Sequence, residues 1–225
     1  MNEYPLLYGQ GFYQLTEVTP GQRLHPQASN AYLQMADSAS EDGIELALYS
    51  SYRSFNTQLN IWNQKWNGNR PLLDEQSHVL DPSQLDDEAK LWAILRWSAL
   101  PGASRHHWGS DMDVYAPNLL SQQETFSLIP TSYQVGGSQH TLANWLNQHA
   151  RQFGFFLPYA RDLGGTAIEP WHISFAPVAQ TCQNVHRFIT LQKIIETSEI
   201  SGKAVILSLL PEIYQRYFCR ICDPL

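Results

Sequence analysis

Apolar residues along this chain fall into alternating helical and strand periods. After an irregular aromatic opening, Ala28, Ala31, Met35 and Ala39 recur at helical spacing and predict a helix over 26–40, stopped by Asp42-Gly43. Ile44, Leu46 and Leu48 alternate with Glu45 and Tyr49, which predicts a strand over 44–50. Leu59, Trp62 and Trp66 share one stripe of a helix over 55–66. The turn-rich stretch 67–82 predicts a loop. The next helix is expected to begin near Ser83, whose hydroxyl can cap with Asp86 three residues on. It should run through Leu91, Ile94, Leu95 and Ser98 until Pro101-Gly102 stops it.

A His-rich turn then leads into a short strand over 112–115. The polar segment 117–140 reads as an insertion over the domain face. Leu142, Trp145, Leu146, Ala150 and Phe153 line one face of a further helix, with Gly154 as its stop. Strands are predicted over 155–159 and 168–175. The tail from about residue 183 to 220 is expected to be helical, broken by Ser201-Gly202 and by Pro211. Together these elements predict an α+β fold, with a domain over 1–180 and a helical C-terminal appendage over 181–225.

Composition narrows the possibilities. At 225 residues with 43% apolar positions, the chain can bury a sizeable core as one large domain, or one domain plus an appendage. Its 14 Lys+Arg against 21 Asp+Glu give a net charge of −7. That balance, with no basic cluster, argues against a nucleic-acid partner, which needs positive charge to displace phosphate counterions. No apolar run approaches the roughly 20 residues of a membrane span; the best, 204–210, is interrupted by Ser208. The opening residues lack a basic stretch followed by an apolar one, and the three cysteines are too few for a disulfide framework. Both features lead to the expectation of a cytoplasmic protein.

Candidate chemistry lies in three constellations. His25, His78, His140, His149 and His186 read as structural or solvated. His106 and His107 differ because of their setting, Ser104-Arg105-His106-His107-Trp108-Gly109-Ser110-Asp111-Met112-Asp113. A His in a turn and an Asp seven residues later at a strand start can converge on one metal, with Gly109 letting the backbone reverse. Imidazole and carboxylate are ligands that zinc accepts at about 2.0–2.2 Å. In the second, Glu169-Pro170-Trp171-His172, the His can supply a third ligand while the Glu acts on metal-bound water. Positions three apart on a regular strand point to opposite faces, so a bulge at Pro170 is expected to bring Glu169 round. Third, Ser50-Ser51-Tyr52-Arg53-Ser54, followed by Gln58, sets an arginine fork at a strand–helix junction, where it can meet an anion.

The ordered motifs S-x-Y-R-S-x-x-x-Q, S-x-H-x-x-G-x-x-x-D and E-x-W-H resemble those of the VanY-like D-alanyl-D-alanine carboxypeptidase family. These zinc metallopeptidases share the Hedgehog/DD-peptidase fold. The resemblance runs over roughly residues 25 to 178. It implies that His106, Asp113 and His172 hold one zinc ion, that Glu169 is the general base, and that Arg53 stabilises the substrate's oxyanion or carboxylate. Ser104, Gln58 and Trp171 match substrate-contacting positions. Asp111 departs from the pattern, since the family usually has a small residue there. Lying two residues before Asp113, it shares that residue's strand face, where it can orient a ligand or alter the pocket's charge. His107 is open to a transition-state role or a packing role.

The activity implied is removal of a terminal D-amino acid, D-Ala, from peptidoglycan-type peptides, by attack of zinc-activated water with Glu169 as base. A D,D- and an L,D-carboxypeptidase both suit it. A zinc endopeptidase on cell-wall peptides is the alternative within the fold, and a non-catalytic zinc-stabilised binding module is the alternative outside enzymes. Cys219 and Cys222 read as reduced thiols, and the acidic run Asp86-Asp87-Glu88 as helix N-terminal charge. The apolar tail residues can pack on the domain or form a dimer contact.

Overall fold

A computed structural model of the chain describes residues 5–11 and 14–224. Part of the aromatic opening, residues 1–4 and 12–13, lies outside the described residues. Strands β1 (Thr16–Thr19) and β2 (Gln22–Leu24) form a small hairpin before helix α1 (Pro26–Glu41). Strand β3 (Ala47–Ser50) leads into α2 (Phe55–Trp66). Helix α1 begins at a proline and buries Ala28, Met35 and Ala39 of the predicted stripe, with Tyr32 buried beside them and Ala31 only partly covered. For α2 the predicted limits hold, and Ser54 caps it by accepting a hydrogen bond from the Thr57 N–H.

Two local expectations change between residues 67 and 87. The stretch 67–82 contains a short hairpin, β4 (Leu72–Leu73) with β5 (Val79–Leu80). Asp86, not Ser83, caps helix α3 (Asp87–Trp97), its carboxylate accepting from the Ala89 N–H at 2.8 Å. Ser83 instead follows Asp81 in a 3-10 turn, because the Asp81 carboxylate captures both its N–H and its hydroxyl. A local side-chain acceptor outcompetes helix initiation there.

Next come the 3-10 turn Arg105–Trp108 and strand β6 (Asp111–Tyr115), then α4 (Pro130–Tyr133), α5 (His140–His149) and β7 (Phe155–Phe156). A second 3-10 turn, Ala150–Phe153, extends α5 to Gly154. Strand β8 (His172–Phe175) runs into α6 (Ala176–Val185), α7 (Phe188–Thr197) and α8 (Lys203–Ile213). Strands β3, β6, β8 and β7 form one antiparallel sheet in that order.

Register in this sheet is what builds the site. Asp113 pairs with Ser50 on one side and with His172 on the other, and Asp111 pairs with Ser174. Because side chains alternate, Asp111, Asp113, His172 and Ser174 share one face. Met112, Val114 and Ile173 take the other and are fully buried in the core.

The tail packs on the rest of the chain. Ile194, Ile195, Ile206, Leu210 and Ile213 join the same buried core as the sheet, and the Trp62 indole donates to the Ser201 carbonyl. Gly202 adopts a positive φ of 74° where a Cβ would strike the Trp66 ring. Pro211 does not break the helix as expected. It lies inside α8, whose backbone continues through a wider π-type turn, Tyr214–Cys219. The buried stripe of Ile206, Leu210 and Ile213 outweighs one lost hydrogen bond. Among the described residues no helix is long and apolar enough to cross a membrane. Cys222 is buried, Cys219 exposed, and both are free thiols.

Candidate metal centre and active site

Each ligand candidate is delivered by a different local device. His106 lies in the 3-10 turn that Gly109 closes in the left-handed region (φ 66°); a Cβ there would lie 2.8 Å from the His25 nitrogen. The imidazole Nδ1–H of His106 donates to the Ser51 carbonyl at 2.8 Å, which leaves Nε2 facing Asp113 Oδ2 at 3.4 Å. Asp113 comes from β6 and His172 from its cross-strand partner. His172 Nδ1 lies 3.0 Å from Asp113 Oδ1. The three side chains bring one nitrogen or oxygen atom each to within 4.8 Å of one another, all buried.

Glu169 arrives by a tighter route than the expected bulge. The predicted strand over 168–175 starts only at His172, and Glu169-Pro170-Trp171 forms a turn closed by the His172 N–H donating to the Glu169 carbonyl at 3.1 Å. Proline, lacking an N–H, suits the turn and not the ladder. The turn sets Glu169 Oε2 3.7 Å from His172 Nδ1.

Arg53 completes the cluster. Its Nη2 donates to Asp113 Oδ2 at 3.0 Å and to Ser50 Oγ at 2.7 Å, its Nε also reaches Ser50 Oγ, and its Nη1 approaches Gln58 Oε1 at 3.4 Å. One Nη1 hydrogen is left for a ligand. Gln58 itself is fully buried, donates to the Ala99 carbonyl and stands behind Arg53, apart from the cavity lining. Ser104 and Trp171 do line the cavity, which holds about 420 Å³. His107 does not. Its Nδ1–H donates to the Arg53 carbonyl at 2.7 Å and its Nε2 accepts from the Gly102 N–H, so it packs beneath the arginine loop.

Charge follows burial. Burial pushes Glu169 up to about 7, an effect that the neighbouring His172 and Arg53 only partly offset. Burial would lower His172, yet the hydrogen bonds it donates to Asp111 and Asp113 reverse that and raise it to about 9. His106 is lowered by burial and by Arg53. Asp113 overcomes its own burial and is held well below the usual carboxylate range by His106 and His172. These values describe a cluster of acids and bases that neutralise one another with no cation between them.

Whether the residues fit a metal is decided by the far sides of the two imidazoles. His106 is held from behind by a carbonyl, and His172 by the Asp111 carboxylate at 3.1 Å. Each therefore presents its other nitrogen inward beside Asp113, a set of two nitrogens and one oxygen that suits a catalytic zinc with an open position.

Lys65 and Tyr159 are among the cavity residues that the sequence does not single out. Lys65 lines the cavity from the last turn of α2 and makes no ion pair among the described residues; burial lowers it to about 8. Tyr159 packs its ring 4.9 Å from that of His172. In sequence, Lys65 is an ordinary helix C-terminal cation and Tyr159 an ordinary strand aromatic, so neither carries a signal. The segment 117–140 contributes Leu128 to the cavity and anchors itself through Tyr133, whose hydroxyl donates to the Val114 carbonyl.

Known proteins resemble this chain in sequence and in fold. An uncharacterized protein of Haemophilus influenzae is 31% identical over 120 residues, which cover 52% of this chain and 92% of that protein. A D-alanyl-D-alanine carboxypeptidase of Enterococcus faecalis is 22% identical over 83% of this chain, which spans 60% of that enzyme's length. Among solved structures, VanYB in complex with D-alanine-D-alanine has a TM-score of 0.56 at 22% identity, covering 84% of this chain and 92% of that one. A VanY D,D-pentapeptidase in complex with Zn(II) has a TM-score of 0.55 at 23% identity, covering 76% and 83%. At these identities the structures show a shared fold, the Hedgehog/DD-peptidase fold. The VanY D-alanyl-D-alanine carboxypeptidase family matches residues 21–178, well over half of the sequence, and the chain belongs to that family of zinc metallopeptidases.

Proposed function

We propose that the protein is a zinc-dependent carboxypeptidase that removes a terminal D-amino acid, D-alanine, from peptidoglycan-type peptides, using one zinc ion. The observation that carries this reading is the position of Glu169. Its carboxylate is 3.7 Å from a ligand nitrogen and lines the same cavity as Arg53. A purely structural metal site has no use for a buried acid beside its ligands. The E. faecalis relative, a D-alanyl-D-alanine carboxypeptidase, supports the same substrate class.

His106, Asp113 and His172 would hold the zinc. Bound there, it would polarise the scissile carbonyl and acidify water. Glu169, ionised once a cation stands beside it, accepts the attacking water's proton and passes it to the leaving amine nitrogen. Arg53 turns its free Nη1–H toward the developing oxyanion. Its neighbours on Nε and Nη2 keep the guanidinium from swinging away. Lys65 supplies further positive charge for a terminal carboxylate, and Ser104 a hydroxyl.

The test is incubation of the zinc-loaded protein with muropeptides ending in D-Ala-D-Ala and in meso-diaminopimelate-D-Ala, followed by mass spectrometry, with Glu169→Ala as control. Loss of one terminal D-Ala, absent in the control, is expected. The preferred peptide assigns D,D or L,D specificity. Internal cleavage, or none with zinc bound, would overturn the carboxypeptidase reading.

A further inference from the structure

Behind the metal-binding cluster lies a second buried polar group. Asp111 is completely inaccessible and accepts four hydrogen bonds on two oxygens. Oδ1 takes Arg105 Nε at 2.7 Å and His172 Nε2 at 3.1 Å; Oδ2 takes Ser110 Oγ at 2.6 Å and Ser174 Oγ at 3.0 Å. Arg105 is in turn held at each of its three nitrogens. Besides the Nε bond to Asp111, its Nη2 donates to Ser174 Oγ and its Nη1 to Gln183 Oε1 at 2.6 Å, while its guanidinium carbon lies 4.8 Å from the Trp108 ring centroid. Gln183 lies on α6 and donates onward to the Phe218 carbonyl in the C-terminal turn.

We propose that Asp111 is a positioning residue for the metal centre. It fixes the tautomer and ring orientation of His172, so that this ligand binds through Nδ1 while His106 binds through Nε2. The reasoning is donor accounting. With four donors on its two oxygens, Asp111 has no acceptor site left over and no room for a proton of its own. The hydrogen on the Asp111 side of His172 must therefore be carried by Nε2, which leaves Nδ1, facing Asp113 and Glu169, as the nitrogen that a metal ion would take in place of a proton. Ser51 does the converse for His106 by taking the Nδ1–H. The two imidazoles thus have opposite tautomers, imposed by two different acceptors. The chain Asp111–Arg105–Gln183 further ties the ligand to the tail, so α6 belongs to the support of the site.

This inference rests on the zinc reading above, and two measurements separate the failure of each. On the wild-type protein loaded with zinc, histidine side-chain 15N shifts should show Nε2–H on His172 and Nδ1–H on His106. Coordination of His172 through Nε2 would overturn the proposal without any variant having to fold. Zinc affinity, read by competition with a chromophoric chelator, should fall about 10- to 100-fold in Asp111→Ala. Asp111→Asn, which keeps an acceptor oxygen, should recover part of the loss. The Co(II)-substituted visible spectrum should shift in Asp111→Ala, with the folded far-UV signal retained. Unchanged affinity and spectrum in a folded Asp111→Asn and Asp111→Ala would reduce the network to packing. Failure of the wild type to bind zinc at all would instead sink the metal reading.

Discussion

His172 stands between two buried carboxylates that lie two residues apart on one strand, and they differ in how much of their bonding capacity the chain consumes. Asp111 is saturated: arginine, two serines and an imidazole occupy both oxygens, and it lines no cavity. Asp113 accepts from Arg53 and faces both imidazoles across a space that opens to the cavity. A saturated buried ion pair holds geometry, whereas an unsaturated one is an invitation to a ligand. The same strand face therefore carries a support and a reactive centre side by side, and nothing in residue type distinguishes the two.

Removing the reactive side gives the largest effect. Glu169→Gln should lower hydrolysis by about 100- to 10,000-fold while zinc content stays unchanged. Loss of zinc together with activity would place Glu169 among the ligands. Arg53→Lys, which keeps the charge but loses the fork, should cost about 100- to 1,000-fold in kcat; a change confined to KM would restrict Arg53 to substrate binding. On the supporting side, Asp111→Ala leaves Arg105 buried without its carboxylate. Denaturant unfolding of the metal-free variant should show a loss of about 3–5 kcal/mol. Gln183→Leu, which breaks only the outer link, should cost about 1 kcal/mol by the same measurement. An equal loss in both variants would mean that Arg105 draws its support from the tail rather than from Asp111.

Acid should expose a further contrast, this time between Glu169 and two histidines outside the proposed ligand set. Burial lowers His107 to about 3 and His186 to about 4, so each stays neutral in the fold while the unfolded chain protonates near 6.5. Each contributes stability that is present above that value and lost as pH falls. Glu169 runs the other way. Raised to about 7 by burial, it binds a proton in the fold that the unfolded chain releases above about 4.5, so its contribution is lost as pH rises. At about pH 5.5 these two imidazoles, joined by the buried His106 of the metal-free cluster, outnumber the one acid, so protons are taken up on unfolding. The metal-free protein should then lose at least about 1.4 kcal/mol per pH unit on acidification. In Glu169→Gln the offset is gone, so its acid limb should be steeper by about 1.4 kcal/mol per pH unit, and it should be the more stable protein at pH 8. A thermal unfolding series in chelator checks both signs.

Local motifs were legible because their chemistry is local. The spacing His106 to Asp113 spans one turn and the start of one strand, and Glu169 to His172 spans one turn, so short-range geometry brings these donors near one another once the strands pair. The helices over 26–41 and 55–66 were legible for the same reason: an apolar stripe and a cap are contiguous features. Where prediction failed, a competing contact was responsible. Asp81 held Ser83 back from helix initiation, and a buried apolar stripe carried α8 past Pro211.

From the order of residues alone came the fold class, the family and the candidates His106, Asp113, His172, Glu169 and Arg53, which the fold brings to one cavity. Tertiary structure decided what each of them touches. It put Gln58 behind Arg53, not in the cavity, set His107 under the arginine loop, and added Lys65 and Tyr159 to the wall. It also surrounded the Asp111 carboxylate with Arg105 and Ser110 from the turn before β6 and with His172 and Ser174 from β8, about 60 residues on. Residue type specifies which bonds a side chain can make; only the packed chain specifies which of them are already taken.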